Sequence, residues 1–131
     1  MKDQAGFTDV RISEDGNTVG WVTLENCCAS YSYAVTLVLF RGGKVVQQFF
    51  EFGTVKEWRF SGNDAVLVSR QFPHGPEYLG FYHRRISDGA LLGEHECGFQ
   101  HDTGEPMDSG PLPKWAQPLG VACPASDPSE P

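Results

Sequence analysis

The sequence predicts an all-β protein: two consecutive four-stranded antiparallel meanders, blade-like in design, followed by a proline-rich C-terminal tail. Three observations point there. Eight short segments rich in β-branched and aromatic residues alternate with clusters of Gly, Asn, Asp, Ser and Pro. No window sustains an apolar stripe at helical spacing with capping residues at its ends. Finally, the pattern of the first half returns in the second.

The first meander covers residues 7–50. Its opening segment, Phe7 to Ile12, puts Val10 and Ile12 on one face with a polar neighbour between them. Ser13-Glu14-Asp15-Gly16-Asn17 follows, and its Asp-Gly step suits a tight hairpin turn. Thr18 to Leu24 and the near-continuous apolar run Ala34 to Arg41 are the next strands. Gly42-Gly43 then marks a hairpin into Lys44 to Phe50. The second meander covers residues 55–97, with strands expected at Val55 to Phe60, Ala65 to Gln71, Tyr78 to Ile86 and Ala90 to Glu96. Ser61-Gly62-Asn63-Asp64, Pro73-His74-Gly75-Pro76 and Ser87-Asp88-Gly89 separate them.

Val10-Arg11-Ile12-Ser13 corresponds to Trp58-Arg59-Phe60-Ser61, 48 residues further on. In both halves a turn, an apolar strand, a longer loop, another apolar strand, a glycine turn and a final strand follow. A period near 40–50 residues with four strands per unit marks propeller blades. At these residues the chain resembles the TolB-like and WD40-like β-propeller blades, in which a strand, a Ser-x-Asp-Gly turn and another strand recur. Ile12-Ser13-Glu14-Asp15-Gly16-Asn17 and Phe60-Ser61-Gly62-Asn63-Asp64 carry that resemblance, which covers roughly 90 of the 131 residues. The Trp-Asp dipeptide and Gly-His pair of WD40 blades are missing. Two blades do not close a ring, because each buries its faces against neighbours and about three units are needed. The two sheets are therefore expected to form a sandwich or curl into one barrel-like sheet, with a ring completed by several subunits as the alternative.

A length of 131 residues implies a single domain, 1–131. Forty per cent apolar residues, with 9 Phe, 4 Tyr and 3 Trp, supply a core and exclude wholesale disorder. Ten Lys and Arg against 17 Asp and Glu leave a net charge of −7, which disfavours nucleic acid as a partner. No apolar run is long enough for membrane insertion by a helix. Seven of the nine prolines lie in the tail, residues 98–131, where they forbid a central strand or a long helix. Pro113-Lys114-Trp115-Ala116 suits one short turn, with Trp115 docking a segment otherwise poor in core formers onto the sheet. The end, 125–131, is expected to be disordered.

Met1 to Gly6 is polar and carries no secretory signal, so the chain is either cytoplasmic or the mature form of an exported protein. Cysteine usage favours the periplasm or the extracellular space. Cys27, Cys28, Cys97 and Cys123 lack C-x-x-C spacing and allow three pairings. Cys97 with Cys123 would tie down the tail. A bond between the adjacent Cys27 and Cys28 would close a strained ring of the kind used in redox devices. The simpler reading turns one of them inward and bridges the other to Cys97 or Cys123. The loop around Asn26-Cys27-Cys28, before a tyrosine-bearing strand, also resembles that of small uncharacterised exported bacterial proteins.

Sites of chemistry are sparse. His95 and Cys97 alternate onto one strand face and, with His101, Asp102 and His83, offer zinc-type ligands, but no second pair has recognisable spacing. Asp102, Glu105 and Asp108 around Gly104 do not match an EF-hand. Glu94 and Glu96 read as a solvated strand edge rather than an acid–base pair. There is no G-x-S-x-G elbow, no phosphate loop, and nothing that brings Cys27 or Cys28 to His74. No catalytic residue, cofactor or metal is expected.

What remains is recognition. Tyr31 and Tyr33 after the paired cysteines, with Phe72 and His74 in a loop stiffened by prolines, form the expected partner-binding set. The expected function is that of a non-enzymatic, exported accessory or inhibitor-type protein, monomeric, binding another protein, with the acidic surface favouring a basic partner. One alternative is a self-assembling two-blade subunit that binds a sugar or small ligand at subunit interfaces. The other is an enzyme, either thiol-redox at Cys27-Cys28 or metal-dependent around His95.

Overall fold

The computed structural model describes residues 4–26, 32–51, 53–71, 77–100, 103–107 and 109–123, with the backbone alone for 4, 5, 25, 26, 32 and 33. Eight strands form: β1 (Gln4–Ile12), β2 (Thr18–Asn26), β3 (Ser32–Arg41), β4 (Lys44–Phe49), β5 (Thr54–Ser61), β6 (Asp64–Arg70), β7 (Tyr78–Arg85) and β8 (Leu91–Gly98). They make two separate antiparallel sheets, β1-β2-β3-β4 and β5-β6-β7-β8, in sequence order. The two expected meanders are thus present and lie face to face. The barrel-like alternative does not form among the described residues.

Turn chemistry sets the strand ends. Gly42 and Gly43, with φ of 62° and 82°, make the two-residue turn that joins Arg41 to its partner Lys44. Both angles favour glycine and match the twist of the flanking strands. Asp15 closes the first hairpin by accepting hydrogen bonds from Ser13 Oγ at 2.6 Å and Asn17 N at 2.9 Å. Those bonds, the serine's first, hold the Asp15 carboxyl below its usual pKa. Asp88 does the same in the β7–β8 turn, accepting from Ala90 N and Arg85 Nη1.

The registers show how the two sheets relate. Ile12 faces Val19 across the first hairpin and Phe60 faces Ala65 across the equivalent one. Counting onward sets Trp21 in correspondence with Leu67 and Val22 with Val68; on the next strands Val38 corresponds to Tyr82 and Leu37 to Phe81. The main core joins Val22, Leu37 and Leu39 of the first sheet to Trp58, Leu67 and Tyr82 of the second. Corresponding faces therefore do not meet. The sheets stack in one sense, the Val22 face of the first lying on the face of the second that corresponds to Trp21.

The far face of the second sheet carries Val66, Val68, Leu79 and Phe81, and the tail covers it with Ala116 and Leu119, helped by Leu112, Trp115 and Val121. These residues sit on and around a short 3-10 helix, Lys114–Leu119. The tail is thus not poor in core formers. Its prolines prevent long regular structure, but a single tight turn is enough to aim its apolar side chains at the sheet. Trp115 docks as expected: its ring stacks on His83 at 5.5 Å and lies over Gly93, where a Cβ would come within 2.9 Å of the indole nitrogen.

Trp58 anchors the seam between the sheets. It is fully buried, and Gly20 and Leu39 of the first sheet close over its ring. A Cβ at Gly20 would sit 2.5 Å from Trp58 Cη2, so the close approach requires glycine there. The indole nitrogen donates to the Asp9 carbonyl at 3.0 Å. Asp9 stands at a register shift of β1 with φ of 55°, a bulge that turns its carbonyl toward the second sheet. Polar contacts frame the seam: Arg11 to Glu57 at 2.6 Å, Arg84 to Glu51 at 2.7 Å, and Gln47 Nε2 to the Ile86 carbonyl at 2.9 Å. The half-exposed Arg11–Glu57 pair contributes at most about 1 kcal/mol, so apolar burial dominates. Trp58→Ala is expected to destabilise the fold by about 3–5 kcal/mol, read as a lower urea midpoint in equilibrium unfolding.

Candidate functional site

Same-sense stacking leaves one face without a neighbour. On the outer side of the first sheet, Ile12, Val19, Phe40 and Val45 are register partners and form an apolar row across all four strands. Trp21 and Val38 form the next row, and Phe7 lies opposite Thr23 beyond them. Phe7 and Trp21 have ring centroids 6.4 Å apart, and Trp21 and Phe40 6.2 Å, so three aromatic side chains make a ladder over β1, β2 and β3. Cross-strand aromatic contacts of this kind stabilise a sheet on their own. Exposure is uneven: Phe7 is 61% exposed, Ile12 68% and Val45 45%, whereas Val19, Trp21 and Phe40 are half-buried and Val38 and Thr23 are buried beneath them. The named rows contain no charged side chain. Contiguous apolar patches of this kind are uncommon on the surfaces of monomeric proteins.

The corresponding face of the second sheet, with Leu67 and Tyr82, is covered by the first sheet. Its own far face is covered by the tail. Of the four sheet faces, the Trp21 face is the one with no layer of described residues over it.

No protein-family model, curated protein or solved structure matches this chain. Geometry and chemistry alone therefore carry the reading of the site.

Of the expected partner-binding set, Tyr31, Phe72 and His74 lie outside the described residues, and Tyr33 is described only as a backbone position of β3. Cys27 and Cys28 also lie outside them. Cys97 and Cys123 are bonded to each other, with Cα atoms 5.7 Å apart. A bridge from Cys27 or Cys28 to either of them is thereby excluded, because both sulfurs are already taken. The bond ties the end of the described tail to β8, beside the second core.

Among the zinc-type candidates, His95 and Cys97 do share the outer side of the second sheet, in register with Phe81 and Leu79. His83 is turned to other work: its Nε2 lies 2.9 Å from Asp64 Oδ2 while its ring stacks on Trp115. His101, Asp102 and Asp108 lie outside the described residues, and Glu105 is exposed. Glu94 and Glu96 are exposed on β8, as an edge strand requires. Arg11 and Arg59, the repeated arginines, both line a cleft of about 620 Å3 with Glu14 and Ser61. Each is committed, Arg11 to Glu57 and Arg59 Nη1 to the Pro118 carbonyl at 2.6 Å, so the cleft is a seam between layers.

Glu96 accepts a hydrogen bond from the Tyr78 hydroxyl at 2.6 Å. That bond, followed by partial burial and the carboxylate's charge, pushes the Tyr78 phenol from its ordinary 10.0 up to about 12. A raised pKa means that the contact stabilises the fold fully below pH 10.0 and loses that contribution as pH rises through about 12. Glu96→Gln is expected to bring this phenol back toward its ordinary value. Ultraviolet titration of tyrosinate checks it, with Tyr78→Phe identifying the transition.

Proposed function

We propose that the protein is a non-enzymatic recognition module that binds another protein through the outer face of its first sheet. The observation that supports this is the aromatic ladder Phe7, Trp21 and Phe40, set in an apolar surface whose counterpart on the second sheet is buried. Apolar, aromatic surface supplies affinity at the centre of an interface. The net charge of −7 surrounding this uncharged face favours a partner with an apolar patch and a basic rim. Affinity would rest on the aromatic contact and association rate on the charges.

The Cys97–Cys123 bond is compatible with an oxidising compartment, which supports placing the protein in the periplasm or outside the cell as an accessory or inhibitor-type protein. No helix among the described residues is long and apolar enough to cross a membrane. A head-to-tail ring of copies is the weaker reading. It would need the far face of the second sheet, which the tail already occupies.

The test compares immobilised wild type with Trp21→Asp, which lies on the side of the first sheet away from Trp58 but beside the buried Val38, so circular dichroism and the thermal midpoint of the variant are measured with it. A basic-rimmed partner captured at low salt is expected to bind the variant at least about 30-fold more weakly, the effect of losing one interface hot spot. Equal capture by the two proteins overturns the proposal. So does a solution mass of several times 14.4 kDa that Trp21→Asp leaves unchanged, because that would mean assembly through another face.

A further inference from the structure

The disulfide that straps the tail has a third soft group beside it. One imidazole nitrogen of His95 and the sulfurs of Cys97 and Cys123 all lie within 4.8 Å of one another. His95 is held in place by the Phe81 ring, centroid to centroid 6.3 Å, and by its position on β8 two residues from Cys97. Its Nε2 is buried and has no hydrogen-bond partner among the described residues. A buried imidazole nitrogen without a partner is costly and calls for an explanation.

We propose that reduction of the Cys97–Cys123 bond by a dithiol converts this strap into a binding site for a zinc-class cation, with His95 and the two cysteine thiolates as ligands. The chemistry balances. The dithiol gives two electrons and two protons to the disulfide and closes into a disulfide itself, leaving thiols on Cys97 and Cys123. The cation then displaces both thiol protons to solvent and takes a lone pair from neutral His95. Cysteine sulfur and histidine nitrogen are the preferred zinc donors, at about 2.3 Å and 2.0–2.1 Å. Tetrahedral geometry then asks for sulfurs roughly 3.8 Å apart. Cα atoms at 5.7 Å allow that spacing through side-chain rotation. Three protein ligands leave the fourth position to water.

Access is also provided. A hollow of about 430 Å3 opens beside His95 and is bordered by Glu94, Glu96, Met107 and Ser109. The two carboxylates raise the local concentration of cations at its mouth. Cleaving the disulfide alone unties Cys123 from β8 while the apolar contacts of Ala116 and Leu119 remain; cation binding would tie Cys123 to β8 again. The strap would thus hold the Cys123 end of the tail in oxidising and reducing surroundings by two different bonds.

The experiment uses the full chain with Cys27→Ser and Cys28→Ser, so that no other thiol competes. It is reduced with a dithiol, desalted without oxygen and titrated with Zn2+ by calorimetry, beside the same protein left oxidised. One Zn2+ per chain is expected in the reduced form and none in the oxidised form, with the thermal midpoint of the reduced form rising on addition of Zn2+. His95→Ala is expected to weaken binding at least tenfold, and its oxidised form, with the strap intact, shows by circular dichroism that the variant folds. The proposal is overturned if the reduced chain binds no Zn2+. It is equally overturned if reduced and oxidised forms bind alike, or if His95→Ala binds as tightly as its parent.

Discussion

The whole arrangement turns on burying Trp58 between two sheets that would otherwise each expose an apolar face. Its ring fills the space that Gly20 leaves open, and its nitrogen is satisfied by a carbonyl that a bulge in β1 delivers. A large aromatic side chain offers much apolar area at small entropic cost, but only if its polar atom finds a partner. Both conditions are met across the seam, by Gly20 and Asp9, 38 and 49 positions away in sequence. Arg11 extends the same contact, lying 5.9 Å from the indole centroid while its guanidinium holds Glu57. At the other end of the seam Arg84 stacks on Phe49 and reaches Glu51.

From that seam follows an asymmetry. Two repeats stacked in one sense must leave two unlike ends, since the face that each offers to its neighbour differs from the face that it receives. At one end the disulfide-strapped tail closes the stack, much as a terminal cap closes a repeat array. At the other the aromatic ladder is the outermost layer among the described residues, with Phe7 exposed and Trp21 and Phe40 half-buried.

Much of this architecture was legible in the sequence. All eight strands lie where β-branched and aromatic residues cluster between turn residues, because Gly42-Gly43 and Ser61-Gly62-Asn63-Asp64 punctuate so strongly. Which face of each strand points inward was not legible. Trp21 and Val22, or Leu37 and Val38, are apolar on both sides, so alternation carries no sign there. The decision came from Trp58, whose partners are remote in sequence. Proline content correctly denied the tail regular structure, yet it was silent on burial, which a single 3-10 turn supplies. Phe7, Trp21 and Phe40 carry no local signal of an outward face, because alternating aromatic residues on a strand read equally well as core. Seam partners such as Arg84 and Glu51 leave no local signal at all.

The stacking sense is open to one direct measurement: nuclear Overhauser contacts from the Trp58 indole in the folded protein. Strong cross-peaks to the Gly20 Hα protons and the Leu39 methyls are required if the Val22 face of the first sheet lies on the second. Cross-peaks from Trp58 only to protons of β5, β6 and β7, with the Trp21 ring instead contacting the second sheet, would contradict the stack and the open face drawn from it.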